Sequence, residues 1–182
     1  MSIPSVLSSN RRRLLLAPAA ACSVVAALAL APTAQAVAPL TATATYDCGT
    51  WGSGLATLTA ADSGTSKTIK INSNAITMPP GTSADPNSIT TTLKLTKTSG
   101  GVTSQVQFSG KTNPGMISPN PITLGPLKLT SGTLAAGDTT NSAVLSGPPS
   151  ATNWSLQIVA SSPTSATVPC VATIDQSAAF VW

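Results

Sequence analysis

The side chains able to do acid–base or nucleophilic chemistry are few in this 182-residue chain. It contains five Asp but no His and no Glu, and beyond residue 36 it contains no Arg. Serine and cysteine nucleophiles that depend on a histidine base are therefore excluded. Glycosidases need two facing carboxylates, whereas Asp62, Asp85 and Asp138 each adjoin Ser, Pro or Gly in turn-like sequence. We expect no enzymatic activity, no cofactor and no metal.

Cys48 and Cys170 are the cysteines that lie beyond residue 36. Two cysteines without any histidine cannot complete a usual zinc site. Disulfides persist in exported proteins, and two cysteines allow one intramolecular pairing. The sequence therefore predicts a Cys48–Cys170 bridge, which ties the first strand to one near the end of the chain and is worth about 4–5 kcal/mol in the chain-entropy treatment.

Three tryptophans are the aromatic side chains to weigh for binding, since an exposed indole can stack on a sugar. Trp154 alternates with Leu156 and Ile158, so we expect it in the core. Trp51 follows Cys48 by three residues, and Trp182 is the final residue. Trp51 and Trp182 are the candidate binding aromatics, with packing beside the disulfide or in a last strand as the alternative.

An export signal is indicated at the start of the chain. Three arginines at 11–13 precede an apolar stretch at 14–32, and Ala34 and Ala36 supply an A-x-A cleavage site. We predict a signal peptide over residues 1–36 and a single domain over 37–182. A retained membrane anchor is disfavoured because two prolines interrupt the apolar stretch. The arginines leave open the general secretory and the twin-arginine routes.

Alternation of period two dominates the chain after the signal. Runs rich in Thr, Val and Ile indicate half-buried strands, and Gly/Pro turns separate them. The proline-rich segment 113–126 is interpreted as a long connection or an interrupted edge strand. About eight short strands predict an all-β fold, an antiparallel β-sandwich of immunoglobulin-like type. The alternating runs are 41–48, 68–72, 89–97, 102–108, 126–130, 153–161 and 167–174.

Four short motifs together resemble a known group of proteins. They are Tyr46-x-Cys48, Phe108-Ser-Gly110, ITLGPLKLTSGT at 122–133, and Val168-Pro-Cys170. In this layout the chain resembles small secreted actinobacterial domains of unknown function, which are immunoglobulin-like sandwiches with one end-to-end disulfide. The resemblance implies the fold and export, and it implies no activity.

The charge of the predicted mature chain limits its partners. Residues 37–182 hold six Lys against five Asp, a formal net charge of +1, so the clustered cations that a nucleic acid needs are missing. We expect a secreted, extracellular protein with no stable membrane insertion after cleavage, whose partner is an extracellular protein or a polysaccharide.

The functional expectation is an exported non-enzymatic β-sandwich that acts as a structural or binding module at or beyond the cell surface. One alternative is a secreted inhibitor of a protease or other hydrolase, in which a proline-rich loop such as 113–126 enters the active site. Another alternative is a carbohydrate-binding module.

Overall fold

Strands account for most of residues 36–182, which are the residues that the computed structural model describes. Their β-branched side chains favour an extended backbone, and their alternate positions are buried. The strands are β1 Thr41–Asp47, β2 Ser53–Asp62, β3 Lys67–Thr77, β4 Ser83–Ala84, β5 Ile89–Ser99, β6 Val102–Gly110, β7 Met116–Ile117, β8 Pro121–Ser131, β9 Thr139–Ser142, β10 Leu156–Ala160, β11 Ala166–Ala172 and β12 Phe180–Val181. One turn of 3₁₀ helix, Gly49–Trp51, follows β1.

Strands β4 and β7 pair antiparallel in a separate two-stranded sheet. The other strands of residues 36–182 pair antiparallel in one continuous hydrogen-bonded order. It runs β10-β11-β1-β2-β3-β8-β6-β5, and β10 also pairs with β5. Residues 89–93 of β5 pair with β10, and residues 95–98 of β5 pair with β9. Strand β9 in turn pairs with β12. The predicted all-β antiparallel sandwich is confirmed. The immunoglobulin-like subtype stays a prediction, since the β10–β5 pairing joins the packed sheets by hydrogen bonds.

The core lies between the packed sheets. Aliphatic side chains from the long strands fill it, together with four fully buried aromatic residues: Tyr46, Phe108, Phe180 and Trp182. The Trp182 ring stacks on Phe108 with 5.5 Å between ring centroids. It meets Phe180 edge to face at 6.3 Å, which is the geometry that aromatic quadrupoles favour.

The prediction for segment 113–126 is wrong in its second half. Residues from Pro121 onward form β8, which lies between β3 and β6 and not at an edge. A β-bulge accommodates Gly125 and Pro126 where the register of β3 shifts between Ile69 and Ile71. The missing N–H of Pro126 costs no ladder bond there. Gly125 has φ +96°, and a Cβ at this position would lie 2.8 Å from the Ile69 carbonyl oxygen.

The predicted signal peptide lies outside the described residues apart from Ala36, so its cleavage stays a prediction. Within residues 36–182, no helix reaches the length and hydropathy that crossing a membrane requires.

Candidate binding surface beside the disulfide

The predicted disulfide is present. Cys48 directly follows β1, Cys170 lies in β11, and the bond joins them across a sequence separation of 122 residues. Both residues are buried. The bridge fixes β11 against the end of β1, where Asp47 pairs with Val171.

Ser155 directly precedes β10 and is hydrogen-bonded to β11. It is fully buried, and its N–H donates to the carbonyl of Cys170 at 2.8 Å. Its Oγ accepts the N–H of Ala172 at 2.7 Å. On the other side, its carbonyl accepts the N–H of Lys94 at 2.7 Å. Ser155 is therefore fixed between the disulfide-bonded strand and β5.

Trp154, the neighbour of Ser155, lies at the surface and not in the core, so the sequence prediction for it is wrong. Ser155 and Leu156 are both buried, which breaks the alternation just before β10. The break turns the side chain before Ser155 outward, because side chains alternate across an extended chain. Trp154 is half-buried.

Lys94 lies over the indole of Trp154. Its Nζ is 3.3 Å from the ring centroid, a cation–π contact of the kind worth about 0.5–2 kcal/mol. Burial of the ammonium lowers the pKa of Lys94 below its ordinary value. The contact holds the ring in one orientation on the outer surface of β5.

Hydroxyls and amides surround this pair. On the outward side of β5, Thr92 and Thr96 flank Lys94, and Gln107 of β6 stands directly opposite Lys94. The hydroxyls of Thr92 and Ser109 are hydrogen-bonded at 3.0 Å. We call Trp154, Lys94, Thr96 and Gln107 the Trp154 face; it is a polar sheet surface with one aromatic ring.

An exposed loop over residues 146–153 leads into Trp154 and is held by its own hydrogen bonds. The side-chain amide Nδ2 of Asn153 donates to the carbonyls of Ser146 at 3.1 Å and Pro148 at 2.9 Å. The backbones of Ser150 and Asn153 bond reciprocally, at 3.0 and 3.2 Å. The loop is thus ordered without a local disulfide, which lowers the entropy cost of binding through it.

The predicted binding aromatics Trp51 and Trp182 are both buried, with 6 % and 1 % of their surfaces exposed. Trp51 lies in the 3₁₀ turn after Cys48. Trp182 is enclosed because its Nε1–H donates to Thr140 Oγ1 at 2.9 Å and its ring stacks on Phe108. Neither indole offers a face to solvent, so their assignment to a binding surface is corrected.

Four aspartates are engaged in structural contacts. The carboxylate of Asp138 accepts the N–H of Ala135 at 2.7 Å and lies 2.7 Å from Lys97 Nζ. The hydrogen bond from Lys97 is the main reason that its pKa falls from 3.8 to about 2. Among residues 36–182 no three His, Cys, Asp or Glu side chains cluster as metal ligands would. The other three engaged aspartates are Asp47, bonded to Gly49 N–H, Asp62, bonded to Gly64 N–H and Lys67, and Asp85, bonded to the Ser162 hydroxyl.

A cleft of about 510 Å³ lies elsewhere, between the turn at 64–67 and residues 128–134. Its charged lining residues are Lys67 and Lys128, and Lys67 is paired with Asp62. The lining holds no carboxylate and no aromatic ring. We therefore place the candidate site on the Trp154 face and not in this cleft.

Comparison of the chain with protein-family models, with curated proteins and with solved structures finds no match. The resemblance to secreted actinobacterial domains accordingly stays a prediction.

Proposed function

We propose that this protein is an exported, non-enzymatic β-sandwich that binds a ligand at or beyond the cell surface through the Trp154 face. The observation that carries the proposal is the half-buried indole of Trp154, fixed by the Lys94 ammonium at 3.3 Å on a sheet surface of hydroxyls and amides. Tryptophan is among the residues most enriched at binding hot spots, because its indole combines a large apolar ring with a polar N–H.

The acidic and phenolic groups support binding over catalysis. General acid–base catalysis works best when the pKa of the catalytic group lies near the working pH. The pKa of Asp138 is lowered to about 2, and burial raises the pKa of Tyr46 above its ordinary value. Both shifts lead away from neutral pH. The pKa of Lys94 is lowered toward it, but the Lys94 ammonium is packed on an indole and not beside a carboxylate.

An uncharged polysaccharide is the ligand class that this surface fits best. Lys94 covers one face of the indole, so the part of the ring that is left exposed is the apolar area for the C–H groups of a sugar, while Gln107 and Thr96 offer donors and acceptors for sugar hydroxyls. The formal net charge of residues 37–182 is only +1, so no strong field selects an anionic polymer.

Co-sedimentation of the mature protein with insoluble glucan, chitin and mannan, all uncharged polysaccharides, tests this proposal. We expect at least one polymer to retain the protein, and we expect Trp154→Ala to weaken retention about ten-fold or more, as loss of an aromatic anchor does. Leu55→Ala is the matched control, because Leu55 is 58 % exposed on β2 and outside the Trp154 face. Failure of the unmodified protein to bind any of the three polymers, or equal binding by Trp154→Ala, would contradict the polysaccharide proposal.

Inhibition of a secreted hydrolase is the second candidate, and loop 146–153 favours it. Segment 113–126, the inhibitory loop predicted from the sequence, fits this role less well, because Asn113 and Met116 are buried and β8 begins at Pro121. The loop 146–153 is exposed and pre-ordered by Asn153, as a substrate-like loop needs to be.

A panel of secreted proteases and glycosidases assayed with the mature protein separates the two candidates. If the protein inhibits through this loop, Asn153→Ala should lose inhibitory potency, because Asn153 holds the loop in shape. Trp154→Ala should keep its potency if the indole lies outside the contact with the enzyme. Full activity of every enzyme in the panel counts against inhibition.

A further inference from the structure

The residue that follows the predicted cleavage site belongs to the core. Ala36 is exposed, whereas Val37 is only 3 % exposed and packs within the hydrophobic cluster. The Ala36–Val37 bond therefore lies directly at the boundary between solvent and the folded domain, with no spacer between them.

The next residue is held by the end of the chain. Ala38 and Val181 exchange two backbone hydrogen bonds: the N–H of Ala38 donates to Val181 at 3.1 Å, and the N–H of Val181 donates to Ala38 at 2.7 Å. Two residues later, the carbonyl of Leu40 accepts the N–H of Ala60 at 2.9 Å. The segment just after the cleavage site is thus docked against both β12 and β2.

A protease requires its substrate to be extended and accessible on both sides of the bond that it cuts. Residues buried in a core or bonded in a ladder meet this requirement only after local unfolding. Here such opening removes the Val37 side chain from the core and breaks both hydrogen bonds between Ala38 and Val181. In the folded state the Ala36–Val37 bond is therefore protected on its C-terminal side.

We propose that the Ala36–Val37 bond is hydrolysed before the domain folds. This order requires that the chain crosses the membrane unfolded. This inference rests on the export that forms part of the proposed function. Water adds across the peptide bond, which leaves a carboxylate on Ala36 and an amine on Val37. The new N-terminal segment then docks against β12, and the Cys48–Cys170 bond closes in the oxidising compartment. Of the two routes, this order fits the general secretory one, because the twin-arginine route carries folded chains.

Cleavage in vitro by a purified bacterial signal peptidase in detergent micelles tests the order of events. The substrates are the oxidised, folded full-length chain, a synthetic peptide spanning residues 20–45, and a full-length variant with six Gly/Ser residues inserted between Ala36 and Val37. We expect rapid cleavage of the peptide after Ala36, cleavage of the folded chain about ten-fold slower or more, and recovery of the rapid rate in the folded insertion variant.

Each alternative outcome has one meaning. A folded chain that is cut as fast as the peptide overturns the inference while leaving the export signal intact. Slow cleavage of the folded insertion variant also overturns it, since the docked segment is then not the cause of protection. A peptide that is not cut after Ala36 refutes the export signal itself, and with it the proposed secretion.

Discussion

The buried ion pair of Asp138 offers the sharpest test of the energetics of this fold. Asp138 Oδ2 lies 2.7 Å from Lys97 Nζ, and the two side chains are 4 % and 13 % exposed. Lys97 also donates to the carbonyl of Thr133 at 2.8 Å, while the carbonyl of Asp138 accepts the N–H of Trp182 at 2.9 Å. The ion pair therefore ties the turn before β9 to β5, while the backbone of Asp138 ties the same turn to Trp182. Asp138→Asn removes the charge at nearly constant volume.

The pKa of Asp138 gives the magnitude and the direction of the pH dependence. Its fall from 3.8 to about 2 corresponds to about 2.4 kcal/mol at about 1.36 kcal/mol per unit, and screening at the partly exposed ammonium reduces the expected effect to about 1–2 kcal/mol. Because the folded-state pKa is lowered, this stability is fully present above pH 3.8 and is lost as the pH falls through about 2.

Urea unfolding of residues 37–182 and of the Asp138→Asn variant, followed by circular dichroism at several pH values, measures the effect. We expect the variant to be less stable by about 1–2 kcal/mol at pH 7, and the difference to shrink to a small fraction of that value near pH 2. Asp175→Asn is the matched control, since Asp175 is exposed. A difference at pH 7 that persists unchanged at pH 2, or no difference at pH 7, would refute the assigned role of the carboxylate.

Two further predictions concern the covalent bond and the backbone. Replacing both Cys48 and Cys170 by Ser is expected to lower the free energy of unfolding by about 3–5 kcal/mol, since the bond spans 122 residues. Circular dichroism should still show the strands. Loss of the strand signal at 25 °C would contradict the expectation that the core folds without the disulfide. Gly125→Ala should cost about 1–3 kcal/mol, because φ is +96° and the new Cβ meets the Ile69 carbonyl at 2.8 Å. Gly100→Ala, where φ is +54° and no atom lies within 4 Å of a Cβ, is the control; an equal loss of stability in both variants would show that the steric contact is unimportant.

Period-two alternation was sufficient to predict the strands that carry strong apolar contrast. In β5, for example, Leu93 and Leu95 are buried between polar outward residues. β2 gives no such contrast, because Ala56 and Leu58 point inward while Leu55 and Ala61 are exposed on the other side. Because apolar residues lie on both faces of β2, its sequence does not show the period-two alternation.

Strand β9 could not be predicted from hydrophobic periodicity for a different reason. Its inward residues are Thr140 and Ser142, both buried polar side chains. Thr140 can be buried in the core because its Oγ1 accepts a hydrogen bond from the indole N–H of Trp182. That partner lies 42 residues away in sequence, so no local pattern contains it.

The position of the candidate site was missed through a single local break in the alternation. Strict period two from Ile158 backward places Trp154 inside, whereas two consecutive buried residues, Ser155 and Leu156, place it outside. The cause is the hydrogen bonding of Ser155 to Cys170 and Ala172. Burying a serine hydroxyl costs free energy unless the hydroxyl is paired, and sequence alone does not show that pairing.

The disulfide therefore has a local consequence as well as a global one. A bond between distant residues stabilises the fold chiefly by restricting the unfolded chain, and in that respect any well-placed pair would serve. Cys170, however, also accepts the N–H of Ser155, the residue that sets Trp154 on the surface beside Lys94. Because a binding surface works best when its ring is fixed before the ligand arrives, the covalent bond next to Ser155 supports the proposal that the Trp154 face is a pre-formed binding surface.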